Sequence, residues 1–199
     1  PSAPDGIGHE ILAAAFMAFP GATLITGAPL HNPRLLLKRH PEVRVSQWVG
    51  QGGFAGDNVV PPERRMKKFE GQFTCPTFNF NGDVPGAFLM LESDRIGERL
   101  LVSKNVAHQV FYNGEVHDRM AITKDNAPGL KLIYDGMDLY LSRKRGGKRF
   151  HDPLAACVAV DKGICEFKEV ECYMTRREWG SREMDGTGTH ISVTVDKER

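Results

Sequence analysis

The sequence predicts an α/β protein with a mainly parallel sheet flanked by helices. Three observations carry that reading. Helical and strand-like segments alternate from His9 to Val49 with short connections, which is the order that builds parallel sheets. The strand-like runs are short and alternate or run apolar, as strands do. The 199 residues are 41% hydrophobic and 26% charged, the balance of an ordinary globular chain.

The opening run His9 to Phe19 consists of helix-forming residues with a wide apolar face, and Pro20-Gly21 stops it. Ala22 to Thr26 reads as a short buried strand. The next helix is expected to start at Asn32-Pro33, with Asn32 capping and Pro33 in the first helical position. Val43 to Val49 reads as a second strand. From Gly50 to Asn81 the periodicity disappears under Gly, Pro and charge, including Pro61-Pro62 and Glu63 to Lys68. A loop of that length in a compact domain is more often functional than not. A short helix is expected at Pro85 to Leu91 and a strand at Leu100 to Ser103. Leu130, Ile133, Tyr134, Met137 and Leu141 recur at helical steps and mark an amphipathic helix ending near Gly146-Gly147. Asp152-Pro153 begins another helix running to Val160. Cys165 to Met174 and His190 to Val195 read as strands joined through a Gly-rich bend and able to pair. One large domain over 1–199 accommodates all of this.

Several function classes fall away on composition. Lys plus Arg total 26 against 25 for Asp plus Glu, so no basic field exists to hold a nucleic acid polymer. The longest apolar run, Ile11 to Phe19, falls far short of the ~20 residues that cross a bilayer, and no membrane partner is expected. The 4 cysteines, at 75, 157, 165 and 172, lack CxxC spacing, and the 7 histidines form neither HExxH nor a helical pair. A reduced, cytoplasmic chain without a zinc centre is expected.

Three segments have chemical potential. Gly50 to Ala55 follows a strand and fits a GxGxxA dinucleotide fingerprint, with Glu70 near the place of a ribose-binding acid. A nucleotide-dependent oxidoreductase needs a helix directly after Gly53, and Pro61-Pro62 forbids one nearby. These glycines read instead as a strand-end turn that lets backbone approach a ligand. Thr77 to Asp83 sets Asn79, Asn81 and Asp83 at the end of the long loop, as an Asn/Gly turn also would. Phe150-His-Asp-Pro153 is a helix cap, Asp152 capping and Pro153 following, or a cap that doubles as a ligand.

Taken in order, these segments resemble the inosine–uridine-type nucleoside hydrolase family, from about Ile11 onward. Pro20 to Asn32 is similar to the family's strand and turn whose threonine carbonyl binds calcium, which implies that role for Thr26. Trp48 to Phe54 resembles its Met-Gly-Gly stretch, Phe78 to Asp83 its Glu-Phe-Asn motif, and His151-Asp152-Pro153 its His-Asp-Pro signature. The resemblance implies a Rossmann-like nucleoside hydrolase fold and hydrolysis of the N-glycosidic bond of ribonucleosides to ribose and free base. Calcium (Ca2+) would be held by Thr26 and Asp152 and by the sugar's 2′- and 3′-hydroxyls, and would polarise the attacking water. Asn79 and Asn58 would bind ribose hydroxyls, with Gln51 and Thr77 also facing substrate. His151 would protonate or hydrogen-bond the departing base. Trp179 is either an aromatic wall for the base or a core tryptophan.

Two substitutions and one absence depart from the family pattern. Gln51 stands where many members carry methionine, and Thr77 where many carry the glutamate that grips the ribose. The Asp-rich DxDxGxDD stretch, source of most calcium carboxylates and of the general base, has no counterpart, and Asp5-Gly6 does not replace it. The expectation is a partial domain lacking its N-terminal strands, with Pro1 as a cut edge and little or no hydrolase activity in isolation. The partners expected are a nucleoside and either a further copy of the chain or a polypeptide supplying the absent segment. The competing expectation is a non-catalytic structural or interaction subunit, whose open sheet edge some partner covers.

Overall fold

A computed structural model of the chain describes residues 3–144 and 146–197, beginning with helix α1 (Gly8–Ala18), which buries Ala13 and Phe16. Strand β1 (Thr23–Thr26), helix α2 (His31–Arg39) and strand β2 (Val45–Gln51) follow in the expected order. Helix α2 starts at His31, ahead of the expected Asn32-Pro33 boundary. Pro33 is tolerated there because the first turn has no intrahelical partners for its N–H groups. The long loop is less irregular than its sequence suggests. Single 3-10 turns at Pro62–Arg64 and Lys67–Phe69 and the short strand β3 (Thr74–Cys75) gather round a small apolar cluster of Phe54, Phe69 and Cys75. Helices α3 (Phe78–Gly82) and α4 (Val84–Glu92), strand β4 (Ile96–Val102) and the one-turn helix α5 (Lys104–Ala107) come next. Asp83 caps α4 by accepting from the Gly86 N–H, and Arg34 of α2 holds its carboxylate at 2.7 Å.

The single domain expected over 1–199 divides into two compact units, a smaller one over residues 108–150 and a larger one over the rest. In the smaller unit, strands β5 (Phe111–Tyr112) and β6 (Lys148–Arg149) pair antiparallel around helices α6 (Gly114–Ala121) and α7 (Pro128–Arg143). Asn113 caps α6 through Val116 N–H at 3.0 Å. The rings of His117 and Tyr134 stack at 4.1 Å, and Tyr112 joins them by a 3.0 Å hydrogen bond to His117 Nδ1. Of the apolar face predicted for α7, Met137 is buried, Leu130, Tyr134 and Leu141 are half-buried, and Ile133 is exposed.

The larger unit resumes with α8 (His151–Val160), then β7 (Cys165–Thr175), β8 (Glu178–Glu183) and β9 (Thr189–Val195). Its seven-stranded sheet has the order β1-β2-β4-β9-β7-β8-β3. Strands β1, β2, β4 and β9 run parallel, and β7, β8 and β3 continue the sheet antiparallel. The expected pairing of β7 with β9 is present, but β8 intervenes in sequence and forms the tight hairpin with β7. Successive strand residues face opposite sides. Trp48 and Leu101 thus join the core under α1, α2 and α4, while Val49 and Leu100 face the side where α8 packs on β1, β2 and β4. Among the described residues, no helix is long and apolar enough to cross a membrane.

Candidate functional site

In an open parallel sheet, the loops after the strands' carboxyl ends form the crevice where ligands bind. Strands β1 and β2 end side by side, with Thr26 opposite Gly50. The Thr26 hydroxyl is fixed by the indole Nε1–H of Trp48, which donates to it at 2.9 Å. Trp48 is itself fully buried, so the end of β1 is tied to the core. A methyl group at Gly27 would meet Asp152 Cγ at 2.8 Å, so the Asp152 side chain rests directly against the backbone that follows Thr26. Thr26 and Asp152, far apart in sequence, are therefore brought close together. His151 is the first residue of α8 and is half-buried. The helix starts there, so Asp152 lies inside the first turn and is not the cap residue expected from Asp152-Pro153.

From Thr26 the site continues onto β2. Asn79 Nδ2 donates to both the backbone carbonyl and the side-chain oxygen of Gln51, at 2.9 and 2.8 Å. With its donors committed and only 6% of its surface exposed, Asn79 keeps Oδ1 as an acceptor. Gly52 lies against the ring of Phe80, and a methyl group there would overlap that ring. The absence of a Cβ at Gly52 is what lets α3 sit close enough for Asn79 to reach Gln51. Thr77, just ahead of α3, is 3% exposed, and its Oγ1 has no hydrogen-bond partner. Its N–H donates to Asn81 Oδ1 at 3.3 Å, and Asn81 Nδ2 donates to the Arg177 carbonyl at 2.8 Å.

Two of the expected site residues are engaged elsewhere. Trp179 is corrected to a core residue: it is fully buried, with its ring centroid 5.1 Å from that of Phe80 and 5.0 Å from that of Phe88. No base can stack on a ring enclosed in this way. Asn58 is exposed, but its Nδ2 donates to the Ser181 carbonyl at 2.7 Å, which ties the long loop to β8. Trp48 and Asn81 lie in segments that the sequence marks, but nothing in their local pattern shows that they support the site through Thr26 and Arg177. The β7–β8 turn carries no local signal, since Arg176-Arg177 lacks the Gly, Asn or Asp that marks a two-residue hairpin. Both arginines have left-handed backbone, with φ of 50° and 65°. That conformation suits the right-handed twist of a two-residue hairpin but costs a non-glycine residue about 1–2 kcal/mol.

A separate cavity of about 560 Å³, lined by Phe16, Met17, Val43, Val45 and Arg95 among others, opens where β2 and β4 begin. It lies at the opposite end of the strands from the polar groups described above.

The fold is shared with solved ribonucleoside hydrolases. The chain superposes on a purine-preferring ribonucleoside hydrolase from Gardnerella vaginalis with a TM-score of 0.71 and 18% identity, over 100% of this chain and 64% of that one. A plant nucleoside hydrolase matches at 0.69 and 20%, covering 100% and 65%. An inosine-uridine preferring nucleoside hydrolase from Bacillus anthracis matches at 0.69 and 15%, covering 98% and 63%. At these identities the likeness shows the fold. The chain thus spans less than two thirds of the length of these structures. No protein-family model matches the sequence, and no curated protein matches it.

Proposed function

We propose that the chain carries the sugar-facing part of a ribonucleoside N-glycosidase site. The supporting observation is the run of contacts from Asp152 through Gly27, Thr26 and Gln51 to Asn79, set at strand ends in a fold whose solved neighbours are nucleoside hydrolases. In this reading Asn79 Oδ1 accepts a ribose hydroxyl. Gln51 fixes which way the Asn79 amide faces. His151 protonates or hydrogen-bonds the departing base, while positive charge develops on the ribose ring as in other glycoside hydrolysis. Thr77 completes the polar lining.

The calcium expected from the resemblance needs about six to eight oxygen ligands. Thr26 and Asp152 are two sources, and among the described residues no three His, Cys, Asp or Glu side chains gather as a metal site. These residues do not fit the ion by themselves. We assign calcium binding only to a form in which another polypeptide segment adds carboxylates, and in that form the chain is active. The four free cysteines agree with a cytoplasmic setting.

Base release from inosine and uridine, assayed with calcium on the 199-residue chain, is expected to be absent or marginal. Calorimetric titration with calcium is expected to give a dissociation constant weaker than about 1 mM. Robust turnover by the chain alone overturns the claim of an incomplete site. Native mass spectrometry asks whether further copies or an Asp-rich polypeptide accompany the chain. If such a complement binds but restores no turnover, the chain is a structural subunit.

A further inference from the structure

The β7–β8 turn carries two cations, and its backbone is bonded to α3, the helix that also carries Asn79. Arg176 and Arg177 are both exposed, and among the described residues neither guanidinium enters an ion pair. Their left-handed backbone fits a turn that Asn-Gly would form without strain, yet the sequence holds two arginines there. The neighbouring carboxylate, Glu178, is occupied by the Thr74 hydroxyl at 2.5 Å. The turn is anchored to the site, since one Asn81 carboxamide bonds the Arg177 carbonyl on one side and the Thr77 N–H on the other. At Thr77 a buried hydroxyl lacks a partner, at the position where the family resemblance implies a glutamate. A carboxylate there would repel an anionic ligand, whereas a hydroxyl donates to one.

We propose that Arg176, Arg177 and Thr77 form a subsite for a phosphate monoester on the sugar, so that the site takes a phosphorylated ribose in preference to an unphosphorylated nucleoside. Guanidinium groups suit that ligand, because their forked donors match phosphate oxygens. The inference rests on the reading of Asn79 and Gln51 as sugar-binding groups. Ribose 5-phosphate and a nucleoside 5′-monophosphate share the chemistry it requires.

Calorimetry on the full chain with ribose 5-phosphate, inosine 5′-monophosphate, inosine and inorganic phosphate tests the subsite. Inosine 5′-monophosphate is expected to bind at least about tenfold tighter than inosine, an advantage that shrinks as salt rises. Binding of ribose 5-phosphate at similar strength makes the sugar phosphate the recognised unit, and binding of the monophosphate alone makes it the nucleotide. The double variant R176N/R177G, whose turn sequence favours folding, is expected to lose that tenfold advantage and to bind inosine as before. Thr77→Glu is expected to weaken the phosphorylated ligands more than inosine. Equal affinity for inosine and its monophosphate, or no effect of R176N/R177G, overturns the phosphate subsite and leaves the nucleoside reading standing. Inorganic phosphate binding as tightly as the sugar phosphates also overturns it. Binding of ribose 5-phosphate that depends on the two arginines, with no affinity for inosine, keeps the subsite and removes the nucleoside reading. If none of the four ligands binds, both fall.

Discussion

Gly52 shows how much of the site depends on an absent atom. A Cβ there would overlap the Phe80 ring, which also stacks on Trp48 at 6.3 Å and meets Trp179 at 5.1 Å. The ring therefore has no free direction in which to move. Gly52→Ala is expected to destabilise the protein by about 1–3 kcal/mol, the usual cost of overpacking a filled core. Thermal melts check this, and an unchanged midpoint would mean that Phe80 has room. Other residues were only partly legible from sequence. The pairing of Thr26 with Asp152 was readable because motif order carried it. The burial of Trp179 was not, since a tryptophan in a short strand looks the same whether it lines a cleft or fills a core. Asn81 was singled out only as part of a turn, and its bridging role depends on a hairpin about a hundred residues away along the chain.

Among the elements, β2 and β4 are joined by more than their backbone ladder. Gln47 donates to Glu98 at 2.7 Å, and Lys162 lies 3.4 Å from the same carboxylate. The Gln47 hydrogen bond, with help from Lys162, holds the Glu98 carboxyl below its ordinary value of 4.5. The folded state therefore binds this proton less readily than the unfolded one. The stabilisation is present above the ordinary glutamate range and is lost as pH falls through the folded value. Because the group is partly exposed, the effect is no more than about 1 kcal/mol. Glu98→Gln should flatten the loss of stability below pH ~4.5, measured by urea denaturation across that range; an unchanged slope would show that the pair contributes nothing. Strands β2 and β4 are readable as apolar runs because most of their residues are buried. Strand β8 is not, because Glu-Trp-Gly-Ser-Arg-Glu neither alternates cleanly nor runs apolar, and it is held by pairing with β7 and β3.

For the whole molecule, the order of elements was legible and the division into two units was not. The sequence between His108 and Phe150 has no linker composition at either end, so nothing local marks where one unit stops. The chain shares a fold with a solved neighbour at 18% identity, where the positions of individual side chains are hard to infer. Strand β1 lies at the sheet's edge and leaves Ile25 47% exposed.

The smaller unit has a property of a different kind. Its two ends are hydrogen-bonded to each other, with β5 paired to β6 and the Phe150 N–H donating to the Val110 carbonyl at 3.0 Å. A segment that enters and leaves through neighbouring strands can be cut out and its stumps rejoined by a short turn. Replacing residues 111–149 with a Gly-Asn-Gly linker is expected to leave a cooperative thermal transition in what remains. Loss of that transition would show the larger unit to depend on the smaller. If the transition survives, the insertion is an exchangeable cassette, and other sequences grafted at the same neck would alter what is presented there without rebuilding the sheet.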